Sequence, residues 1–397
     1  MIFDSESVFE DNVITVLKQH GWKDGVLRYP TEQDLLDNWK GILYRNNNDI
    51  DRLGKYPLTD GEMAQIIEQI ETLRTPLALN SFVNGRTVSI TRDNKEDVAH
   101  FGKEISLYIY DRKEIAGGKS TYQIAQQPVY PAKNKMLNSR RGDLVLLING
   151  MPLIHIELKK SGIPVSQATN QFEKYTHEGV FTGLFRLVQI FVAMNPDDAV
   201  YFANPGVDKF NPSYYFHWAD YNNEPICGGQ NPGKDEWKLF IGGTSGTAGL
   251  LSIPMAHQLI GFYTIADSAD GCLKVLRSYQ YIAANAISDV VRKCDWEQRP
   301  TTPGRPGGYV WHTTGSGKTM TSFKSAQLIA DSHDADKVVF LMDRIELGTQ
   351  SLKEYRSFAD SETEVQGTEN TGVLRDKLNS TNVNDTLIVT SIQKMSN

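Results

Sequence analysis

At 397 residues, with 40% hydrophobic and 22% charged side chains, the chain has the composition of a globular protein and room for two domains. Its net charge of -7 and pI near 5.7 argue against tight nucleic-acid binding by bulk charge, but leave local phosphate-binding patches open. No stretch approaches the roughly 20 apolar residues that span a bilayer, MIFDSESVFE lacks a secretory pattern, and Cys227, Cys272 and Cys294 show neither metal-ligand nor disulfide spacing, so the expectation is a cytoplasmic chain with no membrane role.

The first segment reads as a helix, with Ser5 as N-cap, an apolar stripe of Phe9, Val13, Ile14 and Leu17, and a stop at Gly21. Glu10 falls on that inward stripe, where a carboxylate needs a partner or a metal. Residues 32–80 carry helix periodicity in LLDNWKGILY and EMAQIIEQIETL. Residues 82–148 read as strands, in TVSI, ISLYIY and TYQIAQQPVY, with turns at Asn84-Gly85 and Gly117-Gly118. The run PAKNKMLNSRR places Lys133, Lys135, Arg140 and Arg141 together without an acid, either a solvated loop or a phosphate-binding patch.

Two apolar runs follow, DLVLLI and PLIHIELKK, separated by Asn149-Gly150, a strong hairpin signal. Residues two apart on a strand share a face, so Glu157 and Lys159 project together and the hairpin can bring Asp143 beside Glu157. Paired carboxylates suit a hard cation such as Mg²⁺. A metal held there can polarise a phosphate and acidify a bound water, and the Lys159 ammonium can offset developing negative charge. Those are the parts of a phosphodiester-hydrolysing site. The alternative is a surface strand with an ordinary Glu–Lys pair.

Residues 205–246 read as an irregular excursion, residues 248–264 as a helix broken at Pro254, and the turn-rich ADSADG as a domain boundary near 262–270. Beyond it the pattern runs helix (VLRSYQYIAANAISDVV), strand (GGYVWH), loop, helix (MTSFKSAQLIA), strand (KVVFLM) and strand (TLIVTS), which implies a parallel sheet. GYVWHTTGSGKT has the order of a phosphate-binding loop: its glycines let backbone N–H groups face phosphate oxygens, Lys318 reaches the β- and γ-phosphates of ATP, and Thr319 is placed for Mg²⁺. His312 stands where the usual pattern begins with glycine.

The run RRGDLVLLINGMPLIHIELKKSG resembles the nuclease core of type I restriction motor subunits, members of the PD-(D/E)xK superfamily. The resemblance implies metal binding and catalysis by Asp143, Glu157 and Lys159. It also implies an active-site or DNA-backbone role for Gln171 and Tyr175, which match the family's Gln-x-x-x-Tyr signature and share a helix face. The family's first helix often adds an acid to the metal site; Glu10 is the candidate and Glu6 the alternative. The glycine loop resembles the variant found in superfamily 2 helicases, implying ATP contacts from Thr314, Gly315, Ser316, Gly317, Lys318 and Thr319. The helicases' adenine-reading segment resembles LRSYQYIAANAI and nominates Gln280. Asp343, Arg344, Thr390 and Ser391 stand at strand ends and helix starts like those that carry the next helicase motifs.

The expected fold is therefore α/β: a PD-(D/E)xK nuclease domain over 1–262, with a mixed sheet flanked by helices, then an incomplete RecA-like helicase lobe over 263–397. The sole Asp-Glu dipeptide, Asp235-Glu236, precedes the glycine loop. With no acidic box after that loop and no second lobe, the chain reads as a truncated chain, a fragment of a longer gene product or the product of a degraded gene, expected to bind nucleotide weakly and turn it over inefficiently. The function the resemblance implies is ATP-dependent translocation and cleavage of double-stranded DNA, alongside modification (methyltransferase) and specificity subunits. Two alternatives stand beside it: a non-catalytic P-loop remodeller or adaptor, and a nuclease–helicase fusion of another defence or repair system.

Overall fold

Ser5 accepts a hydrogen bond from the Val8 N–H and starts helix α1 (Glu6–Gln19), which buries Phe9, Val13, Ile14 and Leu17 together with Glu10. These features belong to a computed structural model that describes residues 2–115, 117–131, 140–207, 209–229, 235–294, 307–343, 345–359 and 364–396, the side chains of 345–349 excepted. The chain divides into two compact units, Met1–Thr264 with Cys272–Val275, and Ile265–Gly271 with Leu276–Asn397.

In the first unit, strand β1 (Val26–Arg28) is followed by helices α2 (Glu32–Asn46), α3 (Asp60–Thr72) and α4 (Pro76–Asn84). Thr31, Thr59 and Thr75 cap the three helices, the first two through reciprocal boxes with Asp34 and Glu62. Strands β2 (Thr87–Thr91) and β3 (Glu104–Tyr108) form an antiparallel pair that alternates exposed and buried residues. Beside it the buried Arg92 guanidinium bonds Glu62 at 2.7 Å and Asp97 at 3.0 Å, so none of these buried charges stands alone.

The main sheet adds β4 (Tyr122–Gln126), β5 (Leu144–Ile148), β6 (Met151–Leu158), β7 (Ile190–Met194) and β8 (Ala199–Ala203), in the order β1-β4-β5-β6-β7-β8. It is mixed: β1 and β4 are parallel, as are β6 and β7, and the other neighbours are antiparallel. Every residue of β5 and β6 is buried, because both faces of the sheet are covered. Asn149 and Gly150 turn the β5–β6 hairpin with φ of 52° and 84°, the left-handed pair such a turn requires. Helix α5 (Val165–Glu178) makes the crossover that the parallel β6–β7 pair needs, packing Val165, Ala168 and Phe172 on Phe191, Ala193 and Phe202.

Two expectations for the rest of this unit change. The excursion over 205–246 contains a short helix, α6 (Glu236–Gly242). The expected helix over 248–264 begins only at Met255, as α7 (Met255–Gly261). The preceding backbone makes its bonds elsewhere: the Leu250 N–H reaches the Phe240 carbonyl and the Ile253 N–H reaches the His20 carbonyl. Those long-range partners replace the i to i-4 ladder.

Short strands β9 (Thr264–Asp267) and β10 (Cys272–Val275) lie where the chain passes from one unit to the other. The second unit continues with α8 (Ser278–Lys293), α9 (Lys318–Ser332), β11 (Val338–Met342), α10 (Ile345–Phe358), β12 (Val365–Gly367), α11 (Thr371–Asn379), β13 (Leu387–Ser391) and α12 (Ile392–Met395). Its sheet has the order β11-β13-β12 and is parallel throughout, as strands alternating with helices predict. Phe323 and Ala326 of α9 and Tyr355 of α10 pack on Val365, Leu387 and Val389. The strand expected at GGYVWH is not one: residues 307–313 are irregular, with Tyr309 91% and Trp311 87% exposed. A strand exists only through its ladder, and among the described residues none pairs with this run.

A Cβ at Gly150 would lie 2.9 Å from the Trp39 Cα, in a backbone conformation that already disfavours it. Gly150→Ala is therefore expected to destabilise the first unit by about 1–3 kcal/mol. The readout is a lowered chemical-denaturation midpoint; an unchanged one would show that the turn accepts a side chain.

Candidate active site

The register places Leu144 opposite Ile156, so the next step along the hairpin sets Asp143 opposite Glu157. The Leu158 N–H donates to Asp143 Oδ2 at 2.7 Å, which pins that carboxylate against the end of β6. Glu157 is completely buried and Asp143 half-buried. Burial pushes Asp143 well above the usual carboxylate range, and the neighbouring Glu157 pushes it further. Burial lifts Glu157 to about 8, against the pull of Lys159. Lys159 is itself buried; its ammonium donates to the Leu158 carbonyl at 2.8 Å and lies 3.7 Å from Glu6 Oε1.

Glu157 uses one oxygen and leaves the other bare. Oε1 lies 2.8 Å from His155 Nε2, whereas Oε2 is buried with no hydrogen-bond partner among the described residues. A buried carboxyl oxygen left without a hydrogen bond, beside a second raised carboxyl, suits a divalent cation. The expected third ligand is not in place. Glu10 Oε1 accepts from Gln126 at 2.7 Å and Oε2 from Gln127 at 3.1 Å, and burial raises its carboxyl, with Asp143 adding to the rise. Glu6, the alternative, sits by Lys159. Accordingly, among the described residues no three acidic, His or Cys side chains form a ready cage. Two carboxylates completed by water remain an adequate Mg²⁺ site.

Gln171 and Tyr175 meet as their spacing predicts, and both face inward. The Gln171 amide donates to the Tyr175 hydroxyl at 2.7 Å, which donates in turn to the Arg141 carbonyl at 2.7 Å. The pair thus braces the chain two residues ahead of Asp143. Of the basic run, Arg140 is held in a two-bond fork by Glu178, at 2.8 Å in both bonds, while Arg141 is exposed with its guanidinium 5.8 Å from the Tyr29 ring. Lys133 and Lys135 lie outside the described residues.

Sequence reasoning passed over His155. It lies two residues before Glu157 on the same face, fully buried, and burial depresses its imidazole to about 3, so the ring is neutral. The period-two rule that paired Glu157 with Lys159 would have found it.

In the second unit, Gly315 and Gly317 take φ of 78° and 79°, curling residues 314–317 ahead of α9. Lys318 Nζ donates to the Thr313 carbonyl at 3.1 Å, closing the loop on itself, and Thr319 is the second residue of the helix. Gln280 does not stand free: it is 4% exposed, its Oε1 accepts from the Arg277 N–H and its amide N–H groups point to the Ser316 and Gly317 carbonyls at 3.4 and 3.3 Å. Tyr279 adds a 2.9 Å bond to the Ser316 carbonyl. In this arrangement Gln280 holds the loop. At the strand ends, Thr390 accepts from Thr368 at 2.8 Å, and Ser391 stands just ahead of α12 without a side-chain bond to it. The Asp343 carbonyl accepts from Gln393 at 2.9 Å, and Arg344 lies outside the described residues.

An acid-and-lysine hairpin on a mixed sheet, followed by a glycine loop opening a helix on a parallel sheet, defines the class of this molecule. The chain belongs to the type I restriction enzyme R protein family, whose N-terminal model matches residues 4–210, more than half of it. Residues 279–397 match a SWI2/SNF2 ATPase model. Similar proteins include the endonuclease subunit of a type I restriction enzyme from Staphylococcus saprophyticus, 32% identical over all of this chain and 37% of its own length, and one from Staphylococcus aureus, 33% identical with the same coverage. A third, the EcoprrI endonuclease subunit from Escherichia coli, is 26% identical over 79% of this chain and 99% of its own length. The chain thus spans little more than a third of the staphylococcal relatives. Among the described residues no helix is long and apolar enough to cross a membrane.

Without a cation, the folded state holds a proton on Glu157 up to about pH 8, whereas the unfolded chain releases it near the ordinary value of 4.5. The folded state then binds more protons between these values, so this group's contribution to stability falls as pH rises through that window. The melting temperature of the metal-free chain is expected to drop less steeply between about pH 5.5 and about pH 8 in Glu157→Gln, which cannot ionise. Equal slopes in the two proteins would sink the assignment.

Proposed function

We propose that this chain carries the DNA-cleaving site and an ATP-binding part of the motor of a type I restriction endonuclease. The first unit is read as a PD-(D/E)xK nuclease domain and the second as part of a RecA-like translocase lobe. The observation that carries the reading is the facing Asp143–Glu157 pair, with Glu157 buried, its Oε2 without a hydrogen bond, and Lys159 alongside. Family membership and the endonuclease subunits among its relatives support the same reading.

Asp143 and Glu157 would hold Mg²⁺, with Glu10 behind them on α1. The bound cation would polarise the scissile phosphate and acidify a water. The protein's own contributions follow from the geometry. The Leu158 N–H fixes Asp143, and the Gln171–Tyr175 pair fixes the Arg141 carbonyl that leads into it. The Lys159 ammonium lies beside the pair, where it would offset charge growing on the phosphate. Arg141, which unlike Arg140 is not held in a carboxylate fork, would meet the backbone of double-stranded DNA. No base-reading motif accompanies these groups, which suits cleavage whose sequence choice lies with a specificity subunit acting beside a methyltransferase subunit. ATP would bind at Thr314–Thr319, the Lys318 ammonium leaving the Thr313 carbonyl for the phosphates.

Metal-dependent plasmid nicking by the purified chain tests the nuclease reading. Asp143→Ala and Lys159→Ala are each expected to lower it at least about 100-fold; nicking retained in Asp143→Ala would overturn the proposal. Lys318→Ala should abolish binding of a fluorescent ATP analogue while leaving nicking intact. Binding unchanged in that variant would place the nucleotide elsewhere.

A further inference from the structure

His155 sits where both carboxylate strands meet, and nothing in the proposed chemistry has yet used it. Its Nε2 lies 2.8 Å from Glu157 Oε1. Its ring is enclosed by Phe172, Tyr175, Phe181 and Phe191 at centroid distances from 5.0 to 6.4 Å, with the Tyr175 ring within 9° of parallel. The Tyr130 hydroxyl lies 3.4 Å from Nδ1 and 3.2 Å from Nε2. On its other side the imidazole touches the chain that carries Asp143: a Cβ on Gly142 would come within 2.7 Å of His155 Nε2 and 2.5 Å of the Tyr130 hydroxyl. The bare Gly142 backbone is what lets the strand approach this closely.

We infer that His155 is a positioning residue that donates its Nε2–H to Glu157 Oε1 and thereby presents Oε2 to a divalent cation. With the cation bound Glu157 is a carboxylate, which only accepts, and the ring has one N–H when neutral, so their bond assigns that proton to Nε2 and leaves Nδ1 to accept. The aromatic walls hold the ring plane, so the donor direction is set by packing. A carboxylate with one oxygen engaged has one orientation left for the ion, and hydrogen-bond partners of metal ligands commonly tune metal affinity in this way. Gly142 transmits the same ring position to Asp143, so one side chain sets the aim of both carboxylates. This inference rests on the metal-dependent nuclease reading above and adds to it a residue that touches neither metal nor DNA.

Mn²⁺ alone, titrated into the full chain and followed by loss of the free-ion magnetic resonance signal, tests it without DNA or turnover. His155→Leu is expected to weaken Mn²⁺ binding by about 10–100-fold. His155→Gln, whose amide N–H can occupy the place of Nε2, should stay within about 3-fold of the native chain. His155→Met replaces the leucine variant if that one does not fold. Unchanged affinity in the apolar variant would overturn the inference, as would equal loss in the glutamine variant, which would make the ring a filler. Asp143→Ala separates the two levels. If it leaves Mn²⁺ binding intact, the nuclease reading itself fails; if it abolishes binding while the apolar variant does not, only the role of His155 is lost.

Discussion

Two carboxyl groups set opposite each other at the end of the hairpin, Glu157 closed off from water and Asp143 half-buried, are the constraint around which the first unit is built. Burial drives each toward its neutral form, and the Glu157 charge adds to the rise at Asp143. Everything next to the pair limits its freedom. The Leu158 amide ties Asp143 to β6, His155 holds one Glu157 oxygen, and the Lys159 ammonium is kept near by the Leu158 carbonyl. The sheet supports this arrangement by burying β5 and β6 along their whole length.

Helix α5 acts at two levels. Its apolar face, through Phe172, covers the sheet and encloses His155, and the same face carries Tyr175, whose hydroxyl reaches back to the Arg141 carbonyl. Packing of the helix and bracing of the chain that enters Asp143 are therefore one event. α1 makes a comparable contribution from its own buried stripe, where Glu10 is satisfied by Gln126 and Gln127. An acid so held is close enough to act on Asp143 by its charge while remaining bound to protein amides.

The second unit follows a different logic. Its glycine loop is shaped by two glycines in left-handed conformation and by the Tyr279 and Gln280 side chains, which reach the loop carbonyls from α8. The loop is thus formed through local bonds even though the run ahead of it, with Tyr309 and Trp311 exposed, makes no ladder. Helix start and glycine geometry suffice for the curl of the loop. A strand needs neighbours as well.

Much of this was legible in the residue order. Ser5 and the stripe of α1, the Asn149-Gly150 turn, the shared face of Glu157 and Lys159, the four-residue spacing of Gln171 and Tyr175, and the glycine loop ahead of α9 all depend on contacts within a few residues or on fixed backbone periods. Those periods are properties of the chain itself. Other features depended on partners distant along the chain. The backbone before Met255 bonds to Phe240 and His20 rather than to itself, YVWH finds no strand to pair with, and Gln280 turns into the loop. Glu10 turns toward two glutamines, and only the packed fold showed that one Glu157 oxygen is held by His155 while the other is bare. Local spacing says which side chains share a face, but burial and cross-strand register decide which atoms of those side chains are left without a partner, and that is the quantity on which the chemistry turns.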